Sequence, residues 1–213
     1  MKTKLPSLAV ALATLLATGM AAAQNNVVKF GVTDYTTHSR TNGVSGIGVP
    51  PGADAKTGDG TTVIFVYERM FTPNLGAEIV VGIPPRIKAR ATGSVAFLGD
   101  DVLSARNLAP TFIVNYHFGA PGDTLRPYAG AGINYTKFIG VQSKLATDVK
   151  MSDSTGWVVQ AGLDYYLNKQ WGLFASVAAL KVKSKLVASG TTVLQTTIDF
   201  RPIVYSAGVS YKF

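Results

Sequence analysis

The chain has 213 residues, a formal net charge of +8, no cysteine and 47% hydrophobic residues. The lack of cysteine excludes disulfides and thiolate metal sites. The basic balance points to an anionic partner, and the leader that opens the chain makes a lipid surface a better fit for it than nucleic acid.

Lys2 and Lys4 form a basic stretch, Leu5 to Met20 is apolar, and Ala21, Ala22 and Ala23 supply a small-residue cleavage signal. Residues 1–23 are therefore expected to be a signal peptide, cut after Ala23, with residues 24–213 as one exported domain. Losing Lys2 and Lys4 takes the net charge from +8 to +6. Beyond the leader no apolar run approaches the roughly 18 residues a membrane helix needs. Apolar residues without long apolar runs, together with 22 Gly, 9 Tyr and 10 Phe, are what alternating strands produce.

Eight strands follow in chain order. The first, 27–38, has two faces that are hard to tell apart. Val63, Phe65, Tyr67 and Phe71 mark the second, 61–72. In the third, 75–84, Leu75, Ala77, Ile79, Val81 and Ile83 oppose Gly76, Glu78 and Gly82. In the fourth, 104–118, Leu108, Phe112, Val114, Tyr116 and Phe118 oppose Thr111, Asn115 and His117. The fifth, 125–138, sets Ala129, Ala131, Ile133 and Tyr135 against Tyr128, Gly130, Gly132 and Asn134. The sixth, 154–167, sets Trp157, Val159, Ala161, Leu163, Tyr165 and Leu167 against Gly156, Gln160, Gly162 and Asp164. Trp171, Leu173, Ala175 and Val177 open the seventh, 171–185. The last, 197–213, alternates Ile203, Tyr205, Ala207, Val209, Tyr211 and Phe213 with Val204, Ser206, Gly208, Ser210 and Lys212.

The connections alternate between long (39–60, 85–103, 139–153, 186–196) and short (Pro73-Asn74, Gly119 to Thr124, Asn168 to Gln170). Long loops on one rim and short turns with both termini on the other are the layout of an all-β, eight-stranded antiparallel transmembrane β-barrel. A soluble lipocalin also has eight strands and is exported. Its outer face would be charged, however, whereas here the second parity is mostly small and uncharged. The membrane barrel fits better. The closing Phe213, with apolar residues at alternate positions before it, resembles the terminal signal read by the outer-membrane assembly machinery.

Two histidines, His38 and His117, fall near opposite rims and cannot share a site. His38 and Ser39 are neighbours on a strand and point to opposite faces. No catalytic, cofactor or metal site is expected. Glu68, Glu78, Arg126, Gln160 and Asp164 fall on the polar parity near the short-turn rim. Charges inside a barrel this narrow must be paired, so they are expected to form a lumen network, with Arg126 bonded to Glu78, Asp164 or Glu68. Arg86, Lys88 and Arg90, and Lys181, Lys183 and Lys185, alternate at the outer strand ends, as expected of contacts to lipopolysaccharide phosphates or of solvated strand ends. Pro84, Pro85 and Pro110 remove ladder donors from two adjacent strands. They are expected to mark a bulge or strand end, or a lateral seam into the bilayer. Val95, Phe97, Leu98, Val102 and Leu103 make the loop above them apolar, as a mouth for apolar ligands would be.

Five stretches together resemble the outer-membrane protein W family: Asn74-Leu75-Gly76-Ala77-Glu78, Leu108-Ala109-Pro110-Thr111, Arg126 to Thr136, Gln160 to Tyr165, and Ser206 to Phe213. The resemblance implies a monomeric outer-membrane barrel with a narrow, largely apolar lumen. It also implies passive transport of small hydrophobic molecules, as in alkane-uptake relatives. Family members can narrow the lumen with an aromatic on strand seven, where this chain has Ser176-Val177-Ala178-Ala179-Leu180. The competing expectation is a non-transporting structural or surface-recognition barrel.

Overall fold

The computed structural model describes residues 25–146, 148–189 and 193–213; the expected signal peptide lies outside them. The described strands are β1 (Asn26–Thr37), β2 (Arg40–Thr41), β3 (Ser45–Gly46), β4 (Ala53–Thr57), β5 (Gly60–Met70), β6 (Leu75–Gly82), β7 (Arg86–Gly93) and β8 (Leu103–Leu108). They continue as β9 (Thr111–His117), β10 (Leu125–Ser143), β11 (Asp148–Met151), β12 (Ser154–Tyr166), β13 (Trp171–Leu180), β14 (Lys183–Ser189), β15 (Val193–Asp199) and β16 (Pro202–Lys212).

Eight of them, β1, β5, β6, β9, β10, β12, β13 and β16, pair antiparallel in that order, and β16 pairs back onto β1. The barrel is closed, which leaves no sheet edge to be hydrogen-bonded by water that lipid does not contain. The apolar parity faces out: Phe30, Val32, Ile79, Phe112, Val114, Ile133, Leu163, Leu173 and Val209 are all exposed. Aromatics rim this band. Tyr116 packs on Phe118 at 5.2 Å and Trp171 on Tyr211 at 4.9 Å toward the short turns, while Tyr135, Trp157 and Tyr205 stand exposed toward the long loops. This is a lipid-facing surface with interfacial girdles. Placing Arg at Phe112, Val114, Leu163 or Val209 should cost about 2–4 kcal/mol near the midplane. Urea unfolding of protein refolded in lipid vesicles measures it, and four neutral substitutions would mean that this parity does not face lipid.

Small residues on the inward parity make room for a few large ones. Gly31 and Gly208 face each other across β1 and β16, and a Cβ on either would stand 2.9 Å from the ring of Phe174. Phe174 is buried inside with Ile64 and Val66.

Above the barrel, on the long-loop side, the strands continue as a collar. The expected strands four, seven and eight are each broken, at 109–110, 181–182 and 200–201, and the regions expected as loops contain β2, β3, β4, β7, β11 and the end of β14. Two collar sheets result, one running β10-β8-β7-β4 and the other β11-β14-β15-β2. Their inner faces meet in an apolar core of Ala105, Phe138, Val182, Leu186, Ala188, Ile198 and Phe200, with Phe138 stacked on Phe200 at 5.4 Å. Burial of that core is what orders segments whose sequence otherwise reads as loop. Only β10, 19 residues long, runs unbroken through both levels among the described strands.

Candidate functional site

The barrel interior divides into a polar floor and an apolar chamber. The floor is built around Lys29 on β1, whose Nζ lies 3.0 Å from Asp164 Oδ1 on β12 and 3.3 Å from Glu68 Oε2 on β5. Glu68 also accepts a bond from Asn115 Nδ2 at 3.1 Å and pairs with His117 Nε2 at 2.8 Å. Gln160 Nε2 donates to Glu78 Oε1 at 2.5 Å and to Asn115 Oδ1 at 2.8 Å. Tyr128 offers its ring face to the Lys29 ammonium, 4.5 Å from the centroid. Glu68 and Glu78 are directly opposite on β5 and β6, an arrangement that repels unless cations and amides intervene. Here both do.

The structure therefore brings together Glu68, Glu78, Gln160 and Asp164, but not through Arg126. Arg126 is buried and stands opposite Asp164 in the β10–β12 ladder. Its Nη2 nevertheless donates to the Pro73 carbonyl at 2.9 Å, tying β10 to the β5–β6 turn. Among the described residues it makes no ion pair with Asp164, Glu78 or Glu68. Lys29 has taken that role, because its ammonium, reaching in from β1, ends between two of the carboxylates. Glu68, His117 and Asp164 come within 4.8 Å of one another, a spacing that could hold a metal ion. The ammonium of Lys29 already sits against both of those carboxylates and supplies the positive charge.

Above the floor is a chamber of about 90 Å³, lined by Ile64, Val66, Val80, Ile113, Val158, Phe174 and others, with Lys29, Glu78, Tyr128 and Gln160 at its base. Strand seven does carry an inward aromatic. It is Phe174, below the Ser176 to Leu180 stretch, where it caps the floor. The collar core closes the top, since Val182 and Phe200 belong to both.

One side of the chamber has a weak wall. The β6–β9 ladder ends at Val80↔Thr111, and the β7–β8 ladder starts at Arg86↔Arg106. That is six residues along one strand against five along the other, so the register slips. Pro84, Pro85 and Pro110 lie in this interval. Among the described backbone bonds only Asn107 N to Pro85 O, at 3.2 Å, bridges it, and Ile83 N turns away to Val63 O. Ile87, beside the interval, and Asn107 and Ala109, within it, line the chamber. At the collar tip, Ile47, Val49, Phe97, Leu98, Leu145 and Leu194 line a second, apolar hollow of about 330 Å³. Val95 and the buried Val102 line it too, while Leu103 packs on the collar core.

Both basic trios point outward: Arg86, Lys88 and Arg90 on β7, and Lys181, Lys183 and Lys185 at and along β14. Lys88 Nζ lies 2.7 Å from Asp101, and this bond holds the Asp101 carboxyl below its ordinary value. Lys183 lies 3.8 Å from Asp199, which Arg201 also reaches at 3.2 Å.

A model of the OmpW family matches residues 23–213. Outer membrane protein W of Vibrio cholerae is 34% identical over 152 residues, covering 68% of this chain and 70% of that protein. The dibenzothiophene metabolism operon protein PahQ of Pseudomonas aeruginosa is 29% identical over 171 residues, 76% of each chain. The crystal structure of the outer membrane protein OprG from Pseudomonas aeruginosa superposes with a TM-score of 0.82 at 23% identity, covering 90% of this chain and 96% of that one.

Proposed function

The chain belongs to the OmpW family of outer-membrane β-barrels, and from that premise we propose that it is a passive channel for small hydrophobic molecules, taken in at the collar and released sideways into the bilayer. One observation carries the reading: the apolar chamber stands on a floor of buried ion pairs and borders the interval where the wall loses its ladder. An apolar solute gains nothing by crossing that floor, since it would have to displace bonds between charges held out of water. The lipid beside the gap is a solvent of its own kind.

The chamber at rest is small. A void of roughly 150 Å³ admits benzene in a packed apolar core, and about 90 Å³ falls short of that. Passage of a larger solute thus requires the wall at Pro84, Pro85 and Pro110 to yield, where three residues have no backbone N–H to give to a ladder. The apolar hollow at the collar tip suits first capture. A relative named for dibenzothiophene metabolism fits an apolar, aromatic cargo.

Cells lacking the gene should take up naphthalene more slowly than cells with it, and regain the rate when the intact gene is returned. In planar bilayers the purified protein should pass little ionic current, because the floor is closed. Unchanged uptake across several apolar compounds would favour the structural or surface-recognition reading. A large steady current would replace the sideways route with a straight aqueous pore.

A further inference from the structure

The outward face of the collar sheet β10-β8-β7-β4 carries a set of cations whose arrangement is costly on its own. Arg86 and Arg106 are directly opposite across β7 and β8, and Lys56 and Arg90 directly opposite across β4 and β7. All four are exposed on the same face, as is Lys137 on β10, diagonal to Arg106, which pairs with Ile139. Like charges facing each other across a ladder are destabilising. Among the described residues, none of Lys56, Arg86, Arg90, Arg106 and Lys137 has an ion-pair partner; on this face Lys88 alone is matched, by Asp101. The opposite side of the collar differs, because there Lys183 faces Asp199 directly.

The height of this set is informative. Below Arg86 on the same stave, Ile83 and Val81 face lipid; below Arg106, Leu108 and Phe112 do; below Lys137, Tyr135 and Ile133 do. Apolar residues, an interfacial tyrosine and then a cation follow one another along β10. The cations thus begin where the apolar band ends, at the level of lipid headgroups on the long-loop side. Two guanidinium forks side by side suit phosphate oxygens, which they can grip through paired N–H bonds.

We propose that Arg86, Arg106 and Lys137, with Lys56 and Arg90 above them, form a binding site for the phosphates of an outer-leaflet glycolipid. Acyl chains hanging from a phosphate held there run down the outward faces of β6 and β9, across the interval between Val80↔Thr111 and Arg86↔Arg106. The lipid would lie over the weak part of the wall. The proposal rests on outer-membrane placement and the charge pattern, and holds whether or not the barrel transports anything.

The test is native mass spectrometry of the refolded full-length barrel in zwitterionic detergent, titrated with bisphosphorylated lipid A. Folding is checked by the shift in electrophoretic mobility on heating. The double variant Arg86→Gln/Arg106→Gln should bind about tenfold more weakly, a loss of about 1.4 kcal/mol. Arg86→Lys/Arg106→Lys should keep most of the affinity, and Lys181→Gln/Lys183→Gln/Lys185→Gln should leave it unchanged. Lys137→Gln, on the unbroken strand, gives a smaller drop and decides the matter should the double variant not refold. Native affinity in both the double variant and Lys137→Gln, an equal loss in the Lys181 set, or undiminished binding of the dephosphorylated lipid would overturn the site. Displacement of the lipid by inorganic phosphate would overturn the lipid assignment in favour of a free-phosphate site.

Discussion

Replacing Lys29 with Met should lower the unfolding free energy by about 3–5 kcal/mol, the cost of leaving a buried charge without its partner. Lys29 is 1% exposed and stands between Glu68, at 0%, and Asp164, at 1%. Among the described residues His117 is the other group near both, 2.8 Å from Glu68 and 3.6 Å from Asp164, but it lacks the fixed charge of an ammonium. Urea titration of the refolded protein in vesicles measures the loss. If the variant folds at all, its bilayer conductance should rise, since the floor has lost its central tie. Adding Glu68→Gln and Asp164→Asn to Lys29→Met should recover part of the stability, because the triple variant has no unpaired charge left from this pair of contacts. A single Lys29→Met variant as stable as the native chain would mean that the floor does not hold the barrel together. By contrast Arg126→Ala should leave the carboxylates paired, since Arg126 serves the Pro73 carbonyl.

Joining β6 to β9 across their gap should reduce uptake of naphthalene to the rate of cells lacking the gene. Ile83, just past the end of β6, and Leu108, the last residue of β8 before β9, are exposed and face each other within the interval, so Ile83→Cys and Leu108→Cys place thiols across it. A short bis-thiol reagent with a cleavable centre would staple them. Neither residue contributes to the floor or lines the chamber, so the stapled barrel should still fold and keep its mobility shift. Cleaving the reagent should restore uptake. Uptake that continues through the stapled wall would exclude the lateral route and send the path to another exit. The same staple placed in cells also separates this route from the lipid site, whose binding is read without any transport.

The eight barrel strands were legible because lipid imposes the simplest of patterns: outward positions within the hydrocarbon band are apolar, so a period of two survives in most segments. Glu68, Glu78, Gln160 and Asp164 were legible for the converse reason, as charged or amide groups on the inward parity. Lys29 was not. Strand β1 reads ambiguously, with Val27 inward beside Lys29 and Asp34 outward beyond Val32, so neither parity stands out. Taking Phe30 and Val32 as the outward pair would have put Lys29 inside. The pairing of Arg126 could not be read either. Register places it opposite Asp164, but where a long side chain ends depends on competing acceptors, here a turn carbonyl that no parity rule reveals. Phe174 was hidden by the clear outward set of Trp171, Leu173 and Ala175 around it. The collar was missed because its segments are short and interrupted. Their inward residues, such as Ile87, Ala89 and Ala91, become an apolar face only once two distant stretches are stacked.

Seven of the eight staves are jointed at nearly the same height, and β10 alone among the described strands passes that level without a break. At this ring of joints the ladders are interrupted, and single bonds such as Phe200 N to Val182 O at 2.9 Å carry the pairing across it. Were the collar to tilt about β10, as a door does about its post, the arc swinging farthest would be diametrically across the barrel, at β1. There the backbone N–H of His38, just past the end of β1, is fastened to the Phe200 carbonyl by a bond of 3.2 Å, and Phe200 is half of the aromatic stack that roofs the chamber. A tilt of that kind would strain this latch before it strained the post.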